Sequence, residues 1–440
     1  MIQLHPHQAE LLARVREKFA SGTRRVLVQG ATGIGKNAIV AVYVRELIAQ
    51  GKRVVFAAHL DALLDDLGDR LAEHDIPFGF LQGDRPTNAD APVQIVSVQT
   101  IHARGARPAA DLLILDEAHR AMAPTVRAFL DAYPSSRCLG ATATPERADG
   151  RPLGDCFDDM VSGPSVRWLT ERGFLVPCSV IAPAAPVEGG LAADPVDAWF
   201  EHTHGRRAIV FASNVRHAEA ITERFDRLGV PAECITGETS RAVRRGLRAR
   251  LLSGESRVLV SVGVFLEGFD APCIETVILA RAFGACGSYL QAIGRGLRPS
   301  PSTGKTDCTV LDLVGAVHRH GLPQDDRVWS LEGEAVRRTG EALQPMRRCR
   351  ACLAIFRPTA YCPRCGAETH TATTLPRVLS RGERLELVNA LPLEKRDKRY
   401  LAKLEWVGLT RMRLTPHAAK GWALRTFIKQ RHRVPAKEAA

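Results

Sequence analysis

The stretch Val26–Asn37, VLVQGATGIGKN, constrains this chain more than any other. Three apolar residues and Gln29 predict a short strand. Glycines at 30, 33 and 35 predict a tight turn, and the apolar-periodic segment Ala38–Ile48 predicts a helix. Strand, glycine-rich loop and helix together make a cradle. With so few Cβ atoms in the way, the backbone N–H groups of Gly30, Ala31, Thr32, Gly33, Ile34 and Gly35 can converge on a phosphate. The helix N-terminus adds a partial positive charge. Lys36 then reaches the β- and γ-phosphates of a nucleotide. Asn37 stands where Ser or Thr usually gives a hydroxyl to Mg²⁺, so an amide oxygen is offered instead. The plainer reading is a glycine-rich turn between a strand and a helix. The order of elements favours a nucleotide, and hence ATP with Mg²⁺.

Charge is segregated along the chain. From Arg319 to the end there are 25 Lys+Arg and 12 Asp+Glu, a balance of +13. The preceding 318 residues carry 35 against 36, or −1. A basic appendage on a near-neutral body points to a polyanionic partner, nucleic acid first of all. No basic n-region with an apolar h-region opens the chain, and no run of about 18 apolar residues exists. A soluble protein of the cytoplasm is therefore expected, with no membrane partner. The 11 cysteines comprise seven scattered ones and one tight group of four, which suits a reducing compartment better than a disulfide framework.

In chain order, Gln3–Phe19 predicts a helix that carries Gln8, where many nucleotide-driven motors place a Gln that reads adenine. Leu112-Leu113-Ile114-Leu115 runs directly into Asp116-Glu117-Ala118-His119. Four apolar residues ending in two acids place both carboxylates at the C-terminal edge of a parallel sheet, where open α/β folds bind ligands. Asp116 would hold Mg²⁺ and Glu117 would polarise the attacking water. Ala141-Thr142-Ala143-Thr144-Pro145 follows another short strand; Thr142 and Thr144 could relay nucleotide state. Pro- and Gly-rich residues 183–195 read as a linker. A second alternating series then ends in Gln291-Ala292-Ile293-Gly294-Arg295-Gly296-Leu297-Arg298. Arg295 and Arg298 are three apart and are expected on one helical face, where they suit a γ-phosphate supplied from across a cleft.

These motifs, in this order, resemble superfamily 2 helicases with two RecA-like domains. The likeness is greatest to the phage and bacterial branch of RadD-type and type III restriction motor subunits, and it covers Leu4 to Gly321. In family terms GATGIGKN is motif I, DEAH motif II, TAT motif III, EGFD motif V and QAIGRGLR motif VI. The resemblance implies ATP hydrolysis between the domains and movement on nucleic acid, with DNA favoured over RNA. It gives Lys36, Asp116, Glu117, Arg295 and Arg298 to hydrolysis and Gln8 to adenine. His119, Gln291, Gly268 and Asp270 are given to coupling. Departures from the family pattern are Asn37, Leu60 and Ala62 in AAHLDALL, Leu266 in VGVFLEGFD, and His5 and His7 in place of an Arg and a Tyr.

Cys349-x-x-Cys352 and Cys362-x-x-Cys365 are two knuckles that can close one tetrahedral Zn²⁺ site with four thiolates, a structural rather than catalytic set. Surrounding arginines suit phosphate contact. Residues 380–440 predict a basic helical tail, in which Trp406, Trp422 and Phe427 are core or base-stacking groups.

The expected architecture is α/β. Two tandem RecA-like parallel-sheet domains (1–182 and 196–322) flank the linker 183–195, followed by a zinc ribbon (345–370) and the tail. The expected function is an ATP-dependent DNA helicase or translocase. Alternatives are an ATP-binding clamp with weak turnover, or the motor of a restriction or repair complex with a nuclease or other repair or replication factor as partner.

Overall fold

The short apolar runs become interior strands of two parallel sheets. The structure, a computed structural model, describes residues 3–58, 61–81, 88–98, 101, 107–120, 124–146, 152–187, 189–263, 271–332, 337–338 and 346–369. The chain divides into two units, 1–371 and 372–440. The expected tail, with Trp406, Trp422 and Phe427, lies outside the described residues, as do Leu60, Leu266, Gly268 and Asp270.

The first sheet contains β1 (Arg25–Gln29), β2 (Val54–Ala58), β3 (Phe78–Leu81), β4 (Val93–Ser97), β5 (Leu112–Asp116), β6 (Arg137–Thr142) and β7 (Asp159–Ser162), in the order β3-β4-β2-β5-β6-β1-β7. Every pairing is parallel. The second contains β8 (Cys178–Ile181), β9 (Ala208–Ala212), β10 (Ala232–Ile235), β11 (Val258–Ser261), β12 (Thr276–Ala280) and β13 (Cys308–Asp312), in the order β10-β11-β9-β12-β13-β8, again all parallel. Central strands β9, β12 and β13 are buried at every residue, because helices cover both faces of such sheets.

Local chemistry sets the helix starts. Asp194 caps Pro195–Thr203 by accepting from the N–H groups of Val196 (2.9 Å) and Asp197 (3.2 Å), and Pro195 takes the first helical position. Asn214 caps Val215–Arg227 through the N–H of His217 at 2.9 Å.

Two boundaries differ from the sequence expectation. The strand Cys178–Ile181, placed in the first domain by sequence, is hydrogen-bonded into the second sheet, with Cys178 opposite Cys308. Four half-apolar residues do not announce which sheet will take them. The cysteine ribbon is also no separate appendage. After a small hairpin of β14 (Arg327–Val328) and β15 (Arg337–Arg338), strands β16 (Arg347–Arg348) and β17 (Ala354–Phe356) extend the second sheet, β17 antiparallel to β8. Among the described residues, no helix is long and apolar enough to cross a membrane.

Trp199 anchors the second core. It is 2% exposed, and its indole N–H donates to the carbonyl of Arg206 at 2.8 Å. Trp199→Ala is expected to destabilise this domain by about 3–5 kcal/mol, read as a lower midpoint in urea unfolding of the intact protein.

Candidate active site in the cleft between the sheets

Parallel pairing brings the sequence motifs to one edge. Gln29 lies opposite Thr142, and Asp116 opposite Ala141. The loop after β1 therefore starts beside the Thr142–Thr144 segment. Gly30 N–H donates to the Thr142 carbonyl at 3.0 Å, and the Gln29 amide donates to the Ala143 carbonyl at 3.0 Å. Gly35 ends the loop with φ +86°, a left-handed conformation, and caps the helix Lys36–Ala49. A Cβ there would also lie within 3.0 Å of the Gln8 amide nitrogen. Glycine thus serves both the turn and the close approach.

Gln8 is buried against this loop. Its amide donates to the Ile34 carbonyl at 2.8 Å, and its oxygen accepts from His5 N–H at 2.9 Å. Gln8 accordingly pins the loop to the first helix, Pro6–Ala20. The side chain of Asn37 is exposed. Lys36 Nζ rests on the Gly30 carbonyl at 2.8 Å. Burial lowers its pKa; Glu117 and Asp116 oppose that effect, whereas Arg298 and Arg295 add to it.

At the end of β5 the chain turns sharply. Glu117 has φ +50°, unusual for a residue with a side chain, and its N–H donates to Asp116 Oδ1 at 3.0 Å. Such strain persists only where the surroundings over-determine it, and it clusters at functional sites. Glu117 Oε2 accepts from the Gln291 amide at 3.2 Å and lies 3.4 Å from His119 Nδ1. His119 Nδ1 is in turn 3.3 Å from Thr142 Oγ1, which donates to the Thr144 carbonyl at 3.1 Å. Burial acts to raise the Glu117 pKa. The hydrogen bond with His119 and the charges of Lys36, His119 and Arg295 outweigh it, so the net shift is downward and the carboxylate stays ionised at neutral pH.

Gln291 comes from the second domain, on the helix Cys286–Gly294. The face bearing Gly287, Gln291 and Gly294 packs on the first domain at i, i+4 and i+7 spacing. A Cβ on Gly287 would lie within 3.0 Å of Thr144, and one on Gly294 within 3.0 Å of Thr32. Sequence reading missed Gly287 and the packing role of Gly294, although small residues at that spacing were a signal. It missed Glu146 as well. Burial raises its carboxyl pKa, while the facing amide of Gly287 lowers it in part. Arg295 ends the helix and Arg298 lies on the following bend, so the two do not share a helical face as expected. Gly296 packs against Val277 and Cys308 where that helix stops. Both arginines nevertheless act on Lys36, and the Arg298 side chain reaches Gly33.

The four cysteines also converge. Their sulfurs all lie within 4.8 Å of one another, with Cys349–Cys365 at 3.7 Å and Cys352–Cys362 at 3.6 Å. A tetrahedral ion with metal–sulfur bonds of about 2.3 Å has edges of about 3.8 Å, so the set fits Zn²⁺. The amide of Cys352 is the main cause that brings the Cys349 thiol down to about 7, while burial pushes Cys352 up to about 12; a metal needs the thiolate of each.

Comparison with known proteins agrees with this geometry. Residues 1–147 match the family "Type III restriction enzyme, res subunit", and residues 193–300 match "Helicase conserved C-terminal domain". A 51.5 kDa protein of a Lactococcus phage is 24% identical over 75% of this chain and 75% of its own length. A Schizosaccharomyces pombe protein named as a mitochondrial ATP-dependent helicase, irc3, is 26% identical. That match covers 76% of this chain and 61% of the yeast protein. Among solved structures, a fragment of an HsdR subunit of a type I restriction enzyme from Vibrio vulnificus aligns with a TM-score of 0.58 at 21% identity. It covers 76% of this chain and 71% of that one, and shows a shared fold.

The glycine face makes closure steeply size-dependent. Gly294→Ala should push the helix off Thr32 and withdraw Gln291 and Arg295. A fall in ATP turnover of about 10- to 100-fold is expected, since catalysis tolerates little misplacement, while binding of a fluorescent ATP analogue is retained.

Proposed function

We propose that this chain is a superfamily 2 helicase, an ATP-hydrolysing motor on nucleic acid, and that its track is DNA. The observation that carries the reading is the contact across the cleft. Gln291 of the second domain touches Glu117 of the first, while Arg295 and Arg298 lie near Lys36. A nucleotide triphosphate held at this point feels both domains at once, so its hydrolysis changes their affinity for each other. Such a cycle is what a stepping motor requires.

In the proposed division of labour, the loop N–H groups and Lys36 bind the phosphates. Asp116 is the carboxylate that holds Mg²⁺, which neutralises phosphate charge when bound. Glu117, kept ionised by its neighbours, orients water. Arg295 and Arg298 stabilise charge on the γ-phosphate. His119, Thr142 and Thr144 link Glu117 to the helix at Gly287. Gln8 holds the loop and is within the family position for adenine. The four cysteines hold Zn²⁺. DNA is favoured because the first domain matches a restriction-enzyme family, and the basic excess after Arg319 suits phosphate contact.

Steady-state ATP hydrolysis with Mg²⁺, alone and with single-stranded DNA, duplex DNA or RNA, tests the proposal. Strong stimulation by DNA and little by RNA is expected; the reverse would sink the DNA assignment. ATP binding without turnover on any polymer would favour a clamp, with Asn37 as the first residue to revert to Thr. Glu117→Gln is expected to keep ATP binding and lose turnover by about 100-fold or more. Unchanged hydrolysis in that variant would remove Glu117 from the chemistry.

A further inference from the structure

A chain of buried polar contacts in the second domain starts between the two cysteine knuckles and ends on the helix that carries Gln291. Arg357 lies five residues after Cys352 and five before Cys362, directly after β17. Its guanidinium grips both oxygens of Asp325. Nε is 3.3 Å from Oδ1, and Nη2 donates to Oδ2. The Asp325 side chain is 1% exposed and that of Arg357 13%. Asp325 Oδ2 also accepts from Leu322 N–H at 2.9 Å. Arg327 closes the same turn by donating to the carbonyls of His320, Leu322, Pro323 and Asp325. Within that turn, the Gly321 carbonyl accepts from Tyr289 Oη at 3.0 Å. Tyr289 is fully buried and sits two residues before Gln291 on the helix Cys286–Gly294.

The position of Arg357 depends on the ribbon between the knuckles. Ala354 and Ile355 of that ribbon pair with Ile181 and Val180. On its far side, Arg364 donates to the carbonyls of Cys352 and His202, at 3.1 Å each. Both ends of the ribbon are cysteine pairs. With these pairs open, the ribbon keeps its strand pairings, the buried Ile355 and the Arg364 bond to the His202 carbonyl, but the segment that carries Arg357 loses the constraint that closed knuckles impose at both its ends. A buried carboxylate stripped of its countercharge is strongly destabilising to its surroundings.

We propose that the four-cysteine site is a clasp that keeps Arg357 on Asp325, and that this pair positions the Gln291 helix for ATP turnover. The clasp rests on the Zn²⁺ reading above; the Arg357–Asp325–Tyr289 link stands on its own contacts. The plainer role, stabilising a sheet edge, predicts lower melting temperature without a selective change in kcat.

The experiment uses the full chain. It measures zinc content, melting temperature, and kcat and KM for DNA-stimulated ATP hydrolysis. Wild type, Arg357→Met, and Arg357→Met with Asp325→Asn are compared, each before and after metal removal by a chelator. Arg357→Met is expected to keep its metal and lose about 2- to 30-fold in kcat with little change in KM, the range of coupling through packed networks. Adding Asp325→Asn should recover most of that loss, because the bare carboxylate is gone. Metal removal should lower kcat of the wild type by a similar factor and add little in Arg357→Met. Unchanged kcat in Arg357→Met would overturn the positioning role. Equal losses on metal removal in both backgrounds, or a purified protein without metal, would overturn the clasp. If Arg357→Met does not fold, Arg357→Gln, which keeps a hydrogen-bond donor but not the charge, replaces it under the same criteria.

Discussion

The packing of one short helix against the first domain decides how closely the loops at the two sheet edges approach. Cys286–Gly294 places Gly287 on Thr144, Gln291 on Glu117 and Gly294 on Thr32. The two glycine contacts are closer than any larger side chain would allow. Two glycines on one face let the backbone approach the phosphate loop, and the amide between them spans the remaining gap. The same approach carries Arg295 and Arg298 toward Lys36. Three cations then share a cleft with two carboxylates. The arginines disfavour the charge on Lys36 and the carboxylates favour it, so an anion placed among the cations would relieve their mutual repulsion.

Around that contact the first domain is wired so that the cleft reports on itself. Glu117 is hydrogen-bonded from the second domain by Gln291 and stands beside His119 of its own. His119 approaches Thr142, and Thr142 bonds the Thr144 segment that meets Gly287. The path leaves Glu117 and returns to it through the helix of the other domain. Left-handed backbone at Glu117 fits this picture. The residue is held where its neighbours require it, at some cost in local strain.

The second domain solves a different problem. An open sheet ends in unpaired N–H and C=O groups that invite association. Here β17 and β16 cover the edge at β8, and the cysteine knuckles flank the covering strand. A ribbon this small has little core of its own: Ala354 and Phe356 pack with the cysteines. The four sulfurs lie within 4.8 Å of one another, and closed on one ion they would supply what apolar burial cannot. Building the ribbon into the sheet also brings Arg357 to Asp325, a pairing that joins the ribbon to the interior.

Much of this was legible in the residues, because each motif carries its own local physics. A glycine-rich turn before Lys36, an apolar run ending in Asp116-Glu117 and two CxxC knuckles can each be read within about ten residues. The alternation of strands and helices implied two parallel sheets. The assignment of Cys178–Ile181, the bend that carries Arg298 and the partner of Arg357 were not legible. Nor was the reason for Gly287 and Gly294. All but the bend depend on which surfaces meet, and segments 32 residues apart, as Arg357 and Asp325 are, or more than 100 apart leave no local trace of their pairing. The sequence by itself determined the chemistry on offer: phosphate cradle, carboxylates, arginines and thiols. Only the tertiary structure decided their spacing, because hydrogen-bond reach across a cleft is set by packing of whole domains and not by any run of neighbours.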